Sequence, residues 1–174
     1  MQLKNGKALH ISQACKADAA ELIVYCNQVG GESDNLTYGA NEFNMTLAQE
    51  EQYLENLSSA TTSALLVGTV GGNIICAGSI NGHQRQRTAH KGSLGITVLK
   101  SHWGLGAGTH MMNALIAFAK STDKLELIYL EVRADHQHAI TLYKKMGFHE
   151  IGRFPHDTKI NGQYFDAILM VLHL

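Results

Sequence analysis

The chain has 174 residues, 45% hydrophobic and 17% charged, with a formal net charge of −1, the balance of one ordinary globular domain over residues 1–174. No global basic field argues for nucleic acid or an anionic membrane, and the longest apolar stretches, such as ALIAFA, are too short to span a bilayer. The opening MQLKNGKALHIS lacks an apolar signal core, and Cys15, Cys26 and Cys76 lack CxxC spacing, so reduced thiols in a cytoplasmic protein are expected, with no disulfide framework and no metal.

In chain order, ALHISQA alternates and suits a first strand over residues 7–13. Residues 17–29 read as a helix closed by Gly30-Gly31. A polar, turn-rich stretch follows, and then Thr46 and Gln49 form a capping-box pattern that opens a helix to about Leu57. SALLVGTV and NIICAGSIN are strand-like and flank Gly71-Gly72, which predicts a hairpin. HKGSLGITVL predicts a further strand, its Gly92 and Gly95 marking a bulge or a close backbone approach.

A glycine-rich turn then leads into a helix to about Lys120, with Met112, Leu115 and Ala119 on its apolar stripe. LELIYLEV reads as a strand covered on both faces. Ala139, Leu142, Tyr143 and Met146 mark a helix that Gly147 ends, and Asn161-Gly162 is a type I′ hairpin signal between two final strands. The order β–α–α–β–β–β–α–β–α–β–β predicts an α/β (α+β) fold, a mixed sheet of about seven strands flanked by about four helices.

The turn HWGLGAGTH alternates Gly104, Gly106 and Gly108 just before a helix. The first N–H groups of a helix lack intrahelical partners, and the peptide dipoles favour negative charge there. Without side chains at those glycines an anion can come close, and a pyrophosphate is the natural tenant. Two nucleotide patterns fail on the letters. No lysine follows the glycines as a Walker-type loop requires. A dinucleotide fingerprint would need glycine where Thr109 or Met111 stands.

A second constellation follows in IYLEVRADHQHAITLYKKMGF. Glu131 stands inside an apolar strand, where a carboxylate is expensive to bury, and Tyr143 lies twelve residues on. A desolvated carboxylate can take a proton near neutral pH and a phenol can give one; a solvent-reaching glutamate and a core tyrosine are the alternatives.

With these motifs in place, residues 94–148 resemble the GNAT superfamily of acetyl-coenzyme-A-dependent N-acetyltransferases. WGLGAG, residues 103–108, is similar to the family's pyrophosphate loop, with Trp103 where glutamine or arginine is usual. HQHAITLYKKMGF is similar to its second motif, with His136 where asparagine is usual. The resemblance implies a mostly antiparallel sheet with a splay between the fourth and fifth strands. Backbone at Ile96, Thr97 and Val98 would bind the pantetheine arm. Trp103, Gly104, Leu105, Gly106, Ala107, Gly108 and Thr109 would hold the pyrophosphate, with His136, Ala139 and Tyr143 completing the cofactor site. Lys100, His102 or Lys145 would face the adenosine-side phosphate.

The implied reaction transfers acetyl from acetyl-CoA to an amine by direct attack. Glu131 would act as base, through water, and Tyr143 as the group serving the departing thiolate. Glu32, Asp34 and Glu42, with Tyr38, Phe43 and Tyr164, are the expected substrate side, set to attract and stack a cationic amine. A small-molecule amine (amino acid, polyamine or antibiotic-like amine) is the first expectation for the acceptor, and a protein N-terminus the second. Room is left for a homodimer. A non-catalytic acyl-CoA-binding module and a dinucleotide-dependent oxidoreductase stand as alternatives.

Overall fold

A computed structural model describes residues 1–174. In chain order it comprises β1 (His10–Gln13), α1 (Ala19–Glu32), α2 (Leu47–Ser58), β2 (Ala64–Val70), β3 (Asn73–Gly82), β4 (Lys91–Val98), α3 (Ala107–Ser121), β5 (Leu127–Arg133), α4 (Gln137–Lys145), β6 (His149–Ile160) and β7 (Gln163–His173). The expected order of elements is reproduced. All seven strands form one sheet, β1-β2-β3-β4-β5-β7-β6, in which every neighbouring pair is antiparallel except β4 with β5.

Local chemistry accounts for several boundaries. Gly71 and Gly72 (φ 59° and 86°), like Asn161 and Gly162 (φ 50° and 84°), supply the paired left-handed conformations of a two-residue hairpin. These turns set the registers Val70↔Asn73 and Ile160↔Gln163. Thr46 caps α2 by accepting from the Gln49 N–H at 3.3 Å, while Gln49 Oε1 accepts from the Thr46 N–H at 2.9 Å. Gly147, at φ 94°, ends α4, and the Phe148 N–H turns back to the Tyr143 carbonyl at 3.0 Å.

Three expectations need correction, and an alternative left open at β4 is decided. β1 is shorter than residues 7–13, Ala8 making only an isolated bridge to Gln2. Gly30 and Gly31 do not close α1, which runs on to Glu32. A Cβ at Gly30 would stand 2.6 Å from the Gly39 carbonyl oxygen and 2.9 Å from the Tyr38 ring, so the pair seats a loop against the helix. Of the two readings of the β4 glycines the close approach holds, the missing Cβ of Gly92 lying 3.2 Å from Ile80 Cγ2, while β4 keeps an unbroken register with β3 and the register shifts lie in the β2–β3 and β6–β7 pairs. β5 is not covered on both faces: Ile128, Leu130 and Val132 are buried, but Glu131 between them is exposed.

The helices occupy opposite faces of the sheet. A Cβ at Gly78 of β3 would meet Leu115 and Met111 of α3, whereas Thr97, paired with the preceding residue Ala77, bonds Tyr25 of α1. Successive strand residues point to opposite faces, so α1 and α3 sandwich the sheet. Met111, Met112, Leu115 and Ala119 are fully buried on the α3 side. Each large apolar side chain so removed from water contributes about 1.5–3 kcal/mol.

Candidate active site

β4 and β5 pair only at Lys91↔Leu127, Gly92↔Ile128 and Ser93↔Tyr129, and then separate. The His83 N–H donates to the Lys91 carbonyl and the Leu99 N–H to the Ile75 carbonyl. Antiparallel pairing alternates, so odd-numbered β4 residues turn their backbone groups toward β3. Even-numbered ones face β5. Beyond Ser93 that side carries no ladder, leaving the backbone of Ile96 and Val98 facing a gap. Thr97 departs from expectation: its backbone is committed to β3 opposite Ala77, and it reaches the gap's lining by side chain. Its hydroxyl lies 2.8 Å from the Tyr25 hydroxyl.

The gap opens into a cleft of about 1120 Å³. At one end lies the glycine turn. Gly104 (φ 73°) and Gly106 (φ 96°) adopt left-handed conformations, and Gly106 is the N-cap of α3. Gly108 sits in the first helical turn, where a Cβ would touch Leu142 at an ordinary 3.4 Å. The backbone N–H groups of residues 104–109 donate to nothing within the protein. These unpaired donors at the head of a fifteen-residue helix are the chemistry a pyrophosphate requires.

Two contacts hold this turn. Trp103 Nε1 donates to the Val98 carbonyl at 2.7 Å. The Lys4 N–H donates to the Leu105 carbonyl at 3.0 Å, and Leu3 beside it is buried. Lys4, His102, His110 and Lys145 line this end, whereas Lys100 does not; Lys4 and His110 were not anticipated.

Tyr143 lies on α4, 8% exposed, its ring 6.1 Å from that of Phe148. Its hydroxyl makes no hydrogen bond within the protein, and the residue lines the cleft. Burial disfavours the phenolate and pushes its pKa up to about 12. Ala139, one helical turn earlier, lines the same wall. His136, the N-cap of α4, is half-buried there. Burial, then His138 and Arg133, hold its imidazole below the usual histidine range against the pull of Asp135.

Glu131 also lines the cleft, two residues beyond the last β4–β5 ladder pair and on the face turned toward α1. It is exposed, so the expectation of a desolvated carboxylate in this strand fails. Its neighbour Arg133 anchors the wall. Arg133 bonds Asp135 through two nitrogens at 3.0 and 2.6 Å and the Asp34 carbonyl at 2.7 Å, and stacks 4.0 Å over Phe165.

Of the expected substrate-side residues, Tyr38 and Phe43 line the cleft, their ring centroids 6.2 Å apart. Glu32, Asp34, Glu42 and Tyr164 do not. The Glu32 carboxylate accepts from the Lys100 N–H and from Gln28 Nε2, tying α1 to the segment after β4. Tyr164 stacks on His156 in the terminal hairpin, centroids 4.7 Å apart. Glu42 caps the Gly39 N–H at 2.7 Å.

Glu50 was missed. It is 3% exposed and lines the cleft from the first turn of α2. A signal existed: Glu50, Leu54 and Leu57 share one stripe of that helix, so a carboxylate occupies an apolar position, while Glu51 and Glu55 face Lys16 outside. Burial raises the Glu50 pKa. Burial and Glu50 together push the Cys26 thiol up to about 11, which leaves no thiolate nucleophile near neutral pH.

The acetyltransferase (GNAT) family profile matches residues 34–148. An L-amino acid N-acetyltransferase of Escherichia coli strain K12 is 29% identical over 161 residues, covering 91% of this chain and 89% of its own. The crystal structure of a GNAT-family acetyltransferase from Streptococcus pneumoniae superposes with a TM-score of 0.94 at 29% identity, covering 96% of this chain and all of that one. A Salmonella typhimurium protein described as a putative acetyltransferase with its cofactor acetyl-CoA shares the fold, with a TM-score of 0.83 at 18% identity, covering 96% and 94% of the two chains.

Proposed function

The chain belongs to the acetyltransferase (GNAT) family, whose members use acetyl-CoA, and on that premise we propose that it acetylates a primary amine on a small molecule by direct attack. The observation that carries this reading is the row of unpaired N–H donors at residues 104–109, opening into the same cleft as the unbonded Tyr143 hydroxyl. The small-molecule acceptor is supported by the full-length resemblance to an enzyme named for amino acids.

Acetyl-CoA, when bound, supplies an activated thioester. The glycine-turn amides and the head of α3 would grip its pyrophosphate, and the free backbone of Ile96 and the Val98 N–H would extend the sheet along its pantetheine arm. Glu131, where β4 and β5 part, takes the acceptor's proton through water. Tyr143, held protonated by burial, hydrogen-bonds or protonates the departing sulfur. Fixing acceptor and thioester in one geometry removes much of the entropic barrier.

The test is a thiol-release assay with acetyl-CoA and a panel of amines, alongside thermal-shift measurements with acetyl-CoA, coenzyme A and NADPH. Stabilisation by both coenzymes and amine-dependent thiol release are expected. A shift with NADPH alone, or no release with any amine or peptide N-terminus, would overturn the reading.

A further inference from the structure

The cleft is divided by charge. Its lysines and histidines, namely Lys4, His102, His110, His136, His138 and Lys145, all come from the N-terminal segment, the glycine turn and α4. The wall built from α1, α2 and the loop between them contributes no cation. Nearby Arg133 is outside the lining, its guanidinium spent on Asp135, Asp34 and Phe165.

On that cation-free wall stands Glu50, 97% removed from solvent by the fold. Its carboxylate has no ion pair and accepts no hydrogen bond. The side chain is desolvated at a cost, and its oxygens meet no protein donor but open onto the cleft, where a cation can reach them. The cleft lining on this wall is largely apolar and includes three aromatic residues, Tyr38, Phe43 and Tyr53. Aromatic faces favour a cation, and the head of α2 favours the carboxylate in its charged form.

We propose that Glu50 is the acceptor's charge anchor, holding a second ammonium group of a diamine or polyamine away from the amine that reacts. This deepens the acetyltransferase reading and rests on it. The amine that attacks must lose its proton, so it offers Glu50 no lasting charge. A diamine keeps a second ammonium throughout. An amino acid instead brings a free carboxylate toward Glu50 and Glu131, with no cation on that wall to receive it. The site therefore selects cationic amines over amino acids.

The experiment is calorimetric titration of the full chain, saturated with coenzyme A, with 1,4-diaminobutane, spermidine and L-alanine, for wild type and Glu50→Gln. Wild type should bind both cations at least tenfold more tightly than L-alanine. Glu50→Gln should lose at least tenfold for both cations, with coenzyme A affinity unchanged and a melting temperature at or above wild type. Equal cation affinity in the two proteins, or preference for L-alanine, would overturn the anchor while leaving the acetyltransferase reading intact. Failure of wild type to bind coenzyme A would count against that reading instead, and titration of the free protein with the two amines would then decide the anchor alone.

Discussion

The ring of Tyr38 occupies the space a side chain at Gly30 would need, 2.9 Å from the Cβ position. Tyr38 in turn lines the cleft on the wall proposed to receive the acceptor, so this glycine seats the loop that shapes it. Gly30→Ala gains about 1 kcal/mol of helix propensity. It also drives a methyl into the ring and the Gly39 carbonyl, an overpacking cost of about 1–3 kcal/mol. The expected outcome is a lower melting temperature and a several-fold higher KM for the amine, with KM for acetyl-CoA unchanged. A stabilised variant with wild-type kinetics would show that the loop moves aside freely.

Trp103 closes the glycine turn onto β4 through the Val98 carbonyl. Trp103→Phe keeps an aromatic ring and removes one hydrogen bond, worth about 0.5–1.5 kcal/mol. Because the bond orders the glycine turn proposed to grip the pyrophosphate, the loss should emerge as a KM for acetyl-CoA raised about two- to tenfold, with the amine KM unchanged. Steady-state kinetics with each substrate varied separately will check this split.

Tyr143→Phe removes the hydroxyl and leaves the ring packed near Phe148. If the hydroxyl serves the leaving sulfur, kcat should fall by about 10²-fold or more, with the thermal melt nearly unchanged. The pH behaviour carries a sign. Burial raises the phenol to about 12, so the proton-donating form persists through pH 10, and wild-type kcat should show no alkaline loss from this group below that. A kcat within twofold of wild type in the variant would remove Tyr143 from the chemistry.

Glu131→Gln should lower turnover of a fixed amine, with the largest deficit at low pH, where more of the acceptor arrives protonated and needs a base. Stability should be unaffected, since the residue is exposed. Rates equal to wild type across pH 6–9, an interval of about three units around the histidine range, would move the base elsewhere in the cleft.

Glu50 gives a stability prediction of definite direction. Its folded pKa is raised by burial, so in the interval between the ordinary glutamate range and that raised value the folded state binds more protons than the unfolded one, and above it both are charged. Its contribution to stability is full below the unfolded pKa and is lost as pH rises through the folded one. Glu50→Gln removes that loss. The difference in melting temperature, variant minus wild type, should grow upward from about pH 4.3 and then level off. A difference that is flat with pH would show the carboxylate to be solvated in the folded protein.

The amino-acid sequence by itself determined the element order, both glycine-bearing hairpins, the Thr46–Gln49 cap and the glycine turn that heads α3. These rest on residues within a few positions of one another, where φ preference, turn chemistry and helical or strand periodicity act directly. It also placed Glu131 and Tyr143 in one cleft, though only through resemblance to a family. Burial and partnership were decided by tertiary structure. Glu131 is exposed and Glu50 buried, although the strand around the first is apolar and the second sits among Gln and Glu neighbours. Glu32 is spent on the Lys100 N–H, and Gly30 admits a ring from the following loop rather than ending a helix. Desolvation and close packing depend on which distant segment arrives opposite a residue, and that is set when α1, α2 and their loop close over the parted strands.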